Sequence, residues 1–364
     1  MADVVLEHLR KKFGDLEAVK DLTLKVEDGR FVCFLGPSGC GKTTTLRMIV
    51  GLEKQDRGDI YVGGKLVNDL NPSERDIAMV FQFYAMYPGA TVRENLAFPL
   101  EQQKLSNEEI RRRVKETAEV LRIDSLLDKV ATKLTSGEKQ RVAIGRAIIR
   151  RPQVYLMDEP LSNLDAGLRA VMRVELKRLQ HELKQTMIYV THDQLEGMTM
   201  ADKIAVMNEG SVLQYDTPET IYRRPKNLFV AGFVGTPTMN MIGCSLVRSD
   251  EDLSLDFAGF KIGLPPNVAK YLTENLSTSE LTLGIRPQDI GISEVKTTYD
   301  SVEASVDVRE LVGDRIIVDA RVDGITLQVE SDRRLSVEVG QKVWLSIDRE
   351  RMHIFETKGG TLIV

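Results

Sequence analysis

At 364 residues, with 42% hydrophobic and 28% charged side chains, the chain has a globular composition and the length for two domains, each with its own core. Its formal net charge of -5, from 49 basic and 54 acidic residues, argues against a broad nucleic-acid or anionic-lipid footprint. Three cysteines (Cys33, Cys40 and Cys244) exclude a disulfide framework and lack metal-ligand spacing, and no apolar run approaches the roughly 18 residues that span a bilayer. This pattern suits a reducing cytoplasm and a membrane role exercised only through a partner.

The chain opens with VVLEHLRKKFG and LEAVKDLTLKV, whose apolar residues alternate around Gly14-Asp15 and predict a small antiparallel sheet. Phe13 at the tip of the first segment reads either as a core phenylalanine or as an aromatic surface for an adenine ring. FVCFL at 31 to 35 is an apolar run of buried-strand length. It leads into GPSGCGKTTT at 36 to 45, which fits G-x-x-x-x-G-K-[ST] with Gly36, Gly41, Lys42 and Thr43, and then into the helix-forming TLRMIVGL. Glycines let the backbone N–H groups of Ser38, Gly39, Cys40, Gly41, Lys42, Thr43 and Thr44 converge on phosphate oxygens, and the helix N-terminus adds partial positive charge. Lys42 would bring a full charge to the β- and γ-phosphates, and the Thr43 hydroxyl would join the coordination of magnesium. DRGDIYVGGKLV at 56 to 67 predicts a hairpin. IAMVF at 77 to 81 predicts a second buried strand, ending at Gln82, whose amide is placed to hold a metal and an attacking water.

From about residue 91 to 150 the pattern turns helical. Ser106 with Glu109, and Thr135 with Glu138, read as capping boxes, and Arg111, Arg112 and Arg113 as a solvated face. VYLMDE at 154 to 159 is a buried strand ending in two carboxylates. Asp158 is assigned to magnesium, and Glu159 to polarising a water for in-line attack on the γ-phosphate. Leu164, Leu168, Val171, Met172, Leu176, Leu179 and Leu183 follow at helical spacing and read as core. MIYVTH at 187 to 192 is a further buried strand. It delivers His192 to the edge that should already hold the phosphate loop, Gln82 and Glu159, whereas His8, His181 and His353 read as structural.

Together GPSGCGKTTTLRMI, DIAMVFQ, QRVAIGRAI, LMDEPLSNLDA, IYVTHDQ and FVAGFVGTP resemble the ATPase subunits of ABC transporters, most closely those of binding-protein-dependent sugar importers such as the maltose importer. The likeness runs over nearly the whole chain. It implies an α/β P-loop ABC ATPase domain over 1–235, with a helical subdomain at about 91–150, then an all-β, OB-like (TOBE-type) regulatory and dimerisation domain over 236–364. It also implies ATP and Mg2+ as cofactors, Glu159 as catalytic base, His192 as γ-phosphate switch, Gln82 as metal- and water-sensing glutamine, and Phe13 as adenine stack. Asp165 would cross the interface of a head-to-tail dimer, and Thr135, Ser136, Gly137 and Glu138 would face the ATP of the other subunit. The dimer is a homodimer or pairs the chain with a similar ATPase. FYAMYPGAT at 83 to 91 resembles the family's SYALYPHMT and implies docking of transmembrane permease subunits around Tyr84 to Pro88, at the cytoplasmic face of the membrane. A solute-binding protein outside the membrane is then an indirect partner, and nucleic acid is none.

Where the family's signature reads LSGGQ, this chain has Leu134-Thr135-Ser136-Gly137-Glu138. Two opposed effects follow, a cap worth about 1 kcal/mol at the helix start and a carboxylate repelling the γ-phosphate by about 1 kcal/mol even at water-like screening; the second is expected to win as a dimer closes, the alternative being that Glu138 points along its own helix, caps Thr135 and never feels the phosphate. Beyond residue 235 the balance is 14 basic against 21 acidic, a net of -7, whereas the first 235 residues hold 35 against 33, a net of +2. Val302, Ala304, Val306 and Val308, then Ile316, Val318, Ala320 and Val322, then Ile325, Leu327 and Val329 alternate as half-buried antiparallel strands closing a small barrel. LGIRPQDI resembles a segment of the family's regulatory domain, and the acidic, aromatic-poor barrel is unsuited to single-stranded nucleic acid. A GTPase lacks support because there is no NKxD. A regulatory ATP binder with weak hydrolysis, and a non-transport ABC ATPase, are the competing functions.

Overall fold

The computed structural model describes residues 2–83, 85–248, 253–257, 260–275, 280–297 and 301–364. The chain forms two compact units, Met1–Glu219 and Thr220–Val364.

The first unit is built on a six-stranded sheet in the order Ser211–Asp216, Lys203–Asn208, Phe31–Leu35, Thr186–Thr191, Val154–Asp158, Ile77–Val80. All neighbours pair in parallel except Ser211–Asp216, which runs antiparallel to Lys203–Asn208. Phe31–Leu35, Val154–Asp158 and Thr186–Thr191 are buried at every position, which is why each reads as a continuous apolar run rather than an alternation. Parallel strands finish on the same edge, so the residues after Leu35, Val80, Asp158 and Thr191 are gathered there. The predicted N-terminal sheet is present, four antiparallel strands in the order Leu16–Val26, Val4–Phe13, Arg57–Val62, Lys65–Leu66, and its inner face shares one core with the parallel sheet.

Helices Val92–Gln102, Asn107–Val120 and Ser136–Ile148 fill the predicted helical stretch. The Thr135–Glu138 capping box forms in full, as does another at Thr91 and Glu94. The box at Ser106 is only half made. Ser106 accepts from the Glu109 N–H, but the Glu109 carboxylate turns instead to Arg112 and Arg113, a turn further along the helix face. In helix Ala166–Leu183, Met172, Leu176 and Leu179 are buried, but Val171, assigned to the core stripe, is 40% exposed.

The second unit carries two five-stranded antiparallel sheets over one apolar core. Ile316, Val318, Ala320, Val322, Leu327 and Val329 point inward as their alternation predicts. Val308 does not, because the pairing of Ser301–Val312 with Arg315–Val322 slips between Val306 and Val308; this bulge reverses the alternation and leaves Val308 43% exposed. The units divide between Glu219 and Thr220, earlier than the boundary at residue 235 expected from sequence. The physical reason is Arg286, 2% exposed, whose guanidinium donates to the carbonyls of Tyr222, Ala231 and Val234 and lies 4.0 Å from the centre of the Tyr222 ring. Helix Leu228–Phe233 is thereby bound to the β unit, and the Leu228 N–H adds a bond to the Gly360 carbonyl at 2.8 Å. Among the described residues no helix is long and apolar enough to cross a membrane.

Candidate nucleotide-binding site

The loop from Gly36 to Gly41 turns between the central strand and helix Lys42–Val50 against two backbone oxygens. A Cβ at Gly36 would lie 2.2 Å from the Met207 carbonyl oxygen. At Gly41, whose φ of 101° already favours glycine, one would lie 2.4 Å from that of Ala18. Ser38 and Gly39 are exposed, while Cys40 is buried with a free thiol. Lys42 is 5% exposed, and its Nζ donates to the carbonyls of Gly36 at 2.7 Å and Pro37 at 2.8 Å, so the amine sits inside the loop's own curl. Thr43 and Thr44 follow in the first turn. The far end of the same helix is closed by Arg75, which sequence reasoning missed. It is 5% exposed and donates from Nη1 to the carbonyls of Met48 and Ile49, each at 2.8 Å. Gly51 makes room for it, since a Cβ there would meet the guanidinium at 2.7 Å.

The carboxyl edge of the sheet brings together the residues predicted to meet there. Asp158 Oδ1 accepts the Thr43 hydroxyl at 2.9 Å. Burial pushes the Asp158 carboxyl above the usual range, opposed by the Thr43 bond. The Glu159 carboxylate is shared: Oε2 accepts from Gln82 Nε2 at 3.1 Å, and Oε1 lies 3.1 Å from His192 Nδ1. Glu159 is a non-glycine residue at φ 45°, a left-handed conformation that costs on the order of 1 kcal/mol, held by its N–H donating to Val190 at 3.0 Å and by the Ser162 hydroxyl donating to its carbonyl at 2.9 Å. Asn163 Nδ2 donates to the Gln82 carbonyl at 3.2 Å, tying the segment before Asp165 to the glutamine. Arg169 holds that segment too, through the carbonyls of Ser162 and Leu164, and reaches Asp193 at 3.5 Å. Its sequence signal was a cation in the first turn of a helix, where the dipole disfavours one.

Phe13 is 47% exposed, which removes the core reading; Lys11 Nζ lies 5.1 Å from its ring centre. Its strand pairs with Leu16–Val26, the strand whose Ala18 abuts Gly41. Thr135 and Ser136 are exposed at the start of helix Ser136–Ile148. Gly137 allows close packing, because a Cβ there would lie 2.7 Å from Leu168 and 3.5 Å from Leu164. Asp165 caps its own helix by accepting from the Leu168 N–H at 2.9 Å. The structure thus joins Thr43 to Asp158, and Gln82 and His192 to Glu159, two sets that adjoin through the Asp158–Glu159 peptide. Phe13, Asp165 and residues 135–138 are outside those bonds.

Of the predicted docking stretch, Tyr84 lies outside the described residues. Phe83 is 77% exposed, Tyr87 43% and Phe98 36%, with the Tyr87 and Phe98 ring centres 4.7 Å apart. Asn95, fully buried, holds the stretch by accepting from the Tyr87 N–H at 2.8 Å and donating to the Tyr87 carbonyl at 3.0 Å. Arg146 donates to the Ala85 carbonyl, and its guanidinium lies 4.7 Å from the Tyr87 ring centre. Beside them opens a cavity of about 530 Å³ lined by Met79, Phe81, Ala85, Phe98, Arg146 and others. A larger cavity of about 760 Å³ between helices Ala166–Leu183 and Gln194–Met200 includes none of Thr43, Gln82, Asp158, Glu159 and His192.

Over its full length the chain is 47% identical to the trehalose/maltose import ATP-binding protein MalK of Thermococcus litoralis, covering all of both chains. The chain belongs to the ABC transporter family. It is an ATP-binding subunit of that family, an ABC-type ATPase. The ABC transporter model matches residues 19–162, the MalK OB fold domain 235–290 and the TOBE domain 283–355. A second relative is the osmoprotective compounds uptake ATP-binding protein GgtA of Synechocystis, 45% identical with both chains fully covered. Among solved structures, the dimeric ATP-binding cassette MJ0796, in a post-hydrolysis state bound to ADP and Pi, aligns at TM-score 0.55 and 31% identity over 59% of this chain and 98% of that one.

Proposed function

We propose that this ABC ATPase powers import of sugars or related small polar solutes, on the cytoplasmic face of the membrane, as a head-to-tail dimer on a transmembrane permease. The solute class follows its relatives, whose names specify trehalose, maltose and osmoprotective compounds. The observation that carries the mechanism is the Glu159 carboxylate, held from both sides by Gln82 and His192 at the edge where the phosphate loop ends. A carboxylate so oriented accepts the proton of an attacking water, His192 contacts the γ-phosphate, and the curl around Lys42 receives the β- and γ-phosphates. The hydroxyl of Thr43, the carboxylate of Asp158 and the amide of Gln82 are hard oxygen donors that fit Mg2+, with Asp158 and Thr43 already within hydrogen-bond distance. When bound, the ion supplies neutralisation of phosphate charge. Phe13 stacks the adenine. Thr135 to Glu138 and Asp165 meet the ATP and the interface of the second subunit. An amphipathic permease segment fits the cavity beside the exposed aromatics Phe83, Tyr87 and Phe98.

The test is Glu159→Gln, which keeps shape and removes basicity. Hydrolysis should fall by on the order of 100-fold or more, while ATP binding persists and ATP with magnesium holds two copies together in size-exclusion chromatography. A variant that stays monomeric and turns over at the parent rate rejects the assignment, and a parent without ATPase activity favours the regulatory reading.

A further inference from the structure

Glu138 places an acid where the ABC signature carries an amide, and the fold supplies its counter-charge from outside the helix. The Glu138 side chain is 16% exposed, and its Oε2 accepts the Thr135 N–H at 2.6 Å, which turns the carboxylate back over the helix start. Lys129 Nζ then reaches the same carboxylate at 3.3 Å from Oε2 and 3.4 Å from Oε1. Lys129 stands on a fixed stretch of backbone. Its N–H donates to Leu126 at 2.9 Å, its carbonyl accepts the Val92 N–H at 3.0 Å, and the next residue bridges Thr91. The cap and the lysine together hold Glu138 below the usual carboxylate range, the Thr135 backbone bond contributing most, so the acid is ionised at neutral pH and its charge must be balanced.

We propose that Lys129 is a positioning residue for the altered signature: by pairing with Glu138 it presents the N-terminus of helix Ser136–Ile148 to the phosphates of an ATP on a second copy as a neutral donor surface. The inference rests on the head-to-tail reading above. It also modifies the expectation that Glu138 simply repels the nucleotide. An uncompensated carboxylate about 4 Å from a phosphate costs about tenfold or less in affinity at water-like screening, and a lysine at a comparable distance returns it. The two residues therefore act in opposite directions. Lys129→Met leaves Glu138 unbalanced and weakens ATP-driven association; Glu138→Gln leaves Lys129 unbalanced and strengthens it; the double variant is neutral again.

The experiment uses the full chain in the Glu159→Gln background, where ATP-driven dimerisation is read by size-exclusion chromatography against ATP concentration at low and high salt. Lys129→Met should raise the ATP concentration for half-dimerisation about fivefold, Glu138→Gln should lower it by a similar factor, and the double variant should return near the parent. Lys129→Arg should match the parent, and both single shifts should shrink as salt rises. Parent-like behaviour of Lys129→Met, or a double variant as impaired as Lys129→Met, overturns the inference, because packing loss is not restored by removing a charge. If the background variant does not dimerise with ATP at all, the head-to-tail reading falls and this inference with it. Dimerisation indifferent to Lys129 sinks this inference alone.

Discussion

The two units use strands in different ways, and only one way gathers a site. In Met1–Glu219 the central strands run parallel, so chain segments far apart in sequence end on one edge, where Thr43 bonds Asp158 and, one residue on, Glu159 bonds Gln82 and His192. In Thr220–Val364 the strands run antiparallel and return on themselves, their inward positions filled by apolar side chains. Each unit also buries an arginine. Arg75 closes the carboxyl end of the phosphate-loop helix, and Arg286 anchors residues 222–234 to the β unit. Both bind backbone carbonyls, and burial lowers the pKa of each. The same device thus holds a binding element in one unit and a boundary in the other.

The sharpest way to break this comparison is Gly41→Ala. The added Cβ meets the Ala18 oxygen at 2.4 Å in a conformation of φ 101°, and strain of about 3 kcal/mol is expected. Nucleotide affinity should fall about 100-fold, with the second unit's unfolding unchanged; calorimetry and titration with a fluorescent ATP analogue read both. Parent-level binding would show that the loop does not need this close approach. Arg286→Met should act the other way round. It strands the carbonyls of Tyr222, Ala231 and Val234 and should destabilise the second unit by about 2–3 kcal/mol, leaving ATP binding intact. Loss of nucleotide binding in this variant would deny the units their independence.

The smallest expected effect lies at Glu138. Its pKa is lowered in the folded chain, so its contribution is present above the ordinary glutamate range and lost as pH falls through the folded value. Glu138→Gln keeps an acceptor for the Thr135 N–H but loses the charge, so it should cost about 0.5 kcal/mol of stability at neutral pH, a difference that closes on acidification. Urea unfolding at neutral pH and near pH 3 checks it, and a gap that widens on acidification would reverse the sign. A variant that is less stable yet dimerises more readily would separate the cap from the charge balance at one position.

Much of the site was legible because it depends on local rules. A glycine loop between an apolar run and a helix, and apolar runs ending in Gln82, Asp158-Glu159 and His192, need only the rule that parallel strands share an edge. Buried periodicity identified the barrel strands, and Thr135 with Glu138 formed the box that their spacing announces. What failed was also physical. The alternation through Val308 missed a bulge, because a one-residue slip has no local signature. Val171 lay on the predicted stripe yet faces outward, since the width of a helix's buried face is set by its neighbours.

The sequence by itself determined which side chains the strands deliver to one edge, Gln82, Asp158, Glu159 and His192, and the glycine loop that leads to Thr43. Tertiary structure decided what supports them. Arg75 meets helix carbonyls at Met48 and Ile49, Asn163 meets Gln82, Arg286 meets Tyr222, and Lys129 meets Glu138. A long cation or an amide finds its partner only when the fold brings a carbonyl or carboxylate within about 3 Å, and sequence spacing records no such distance.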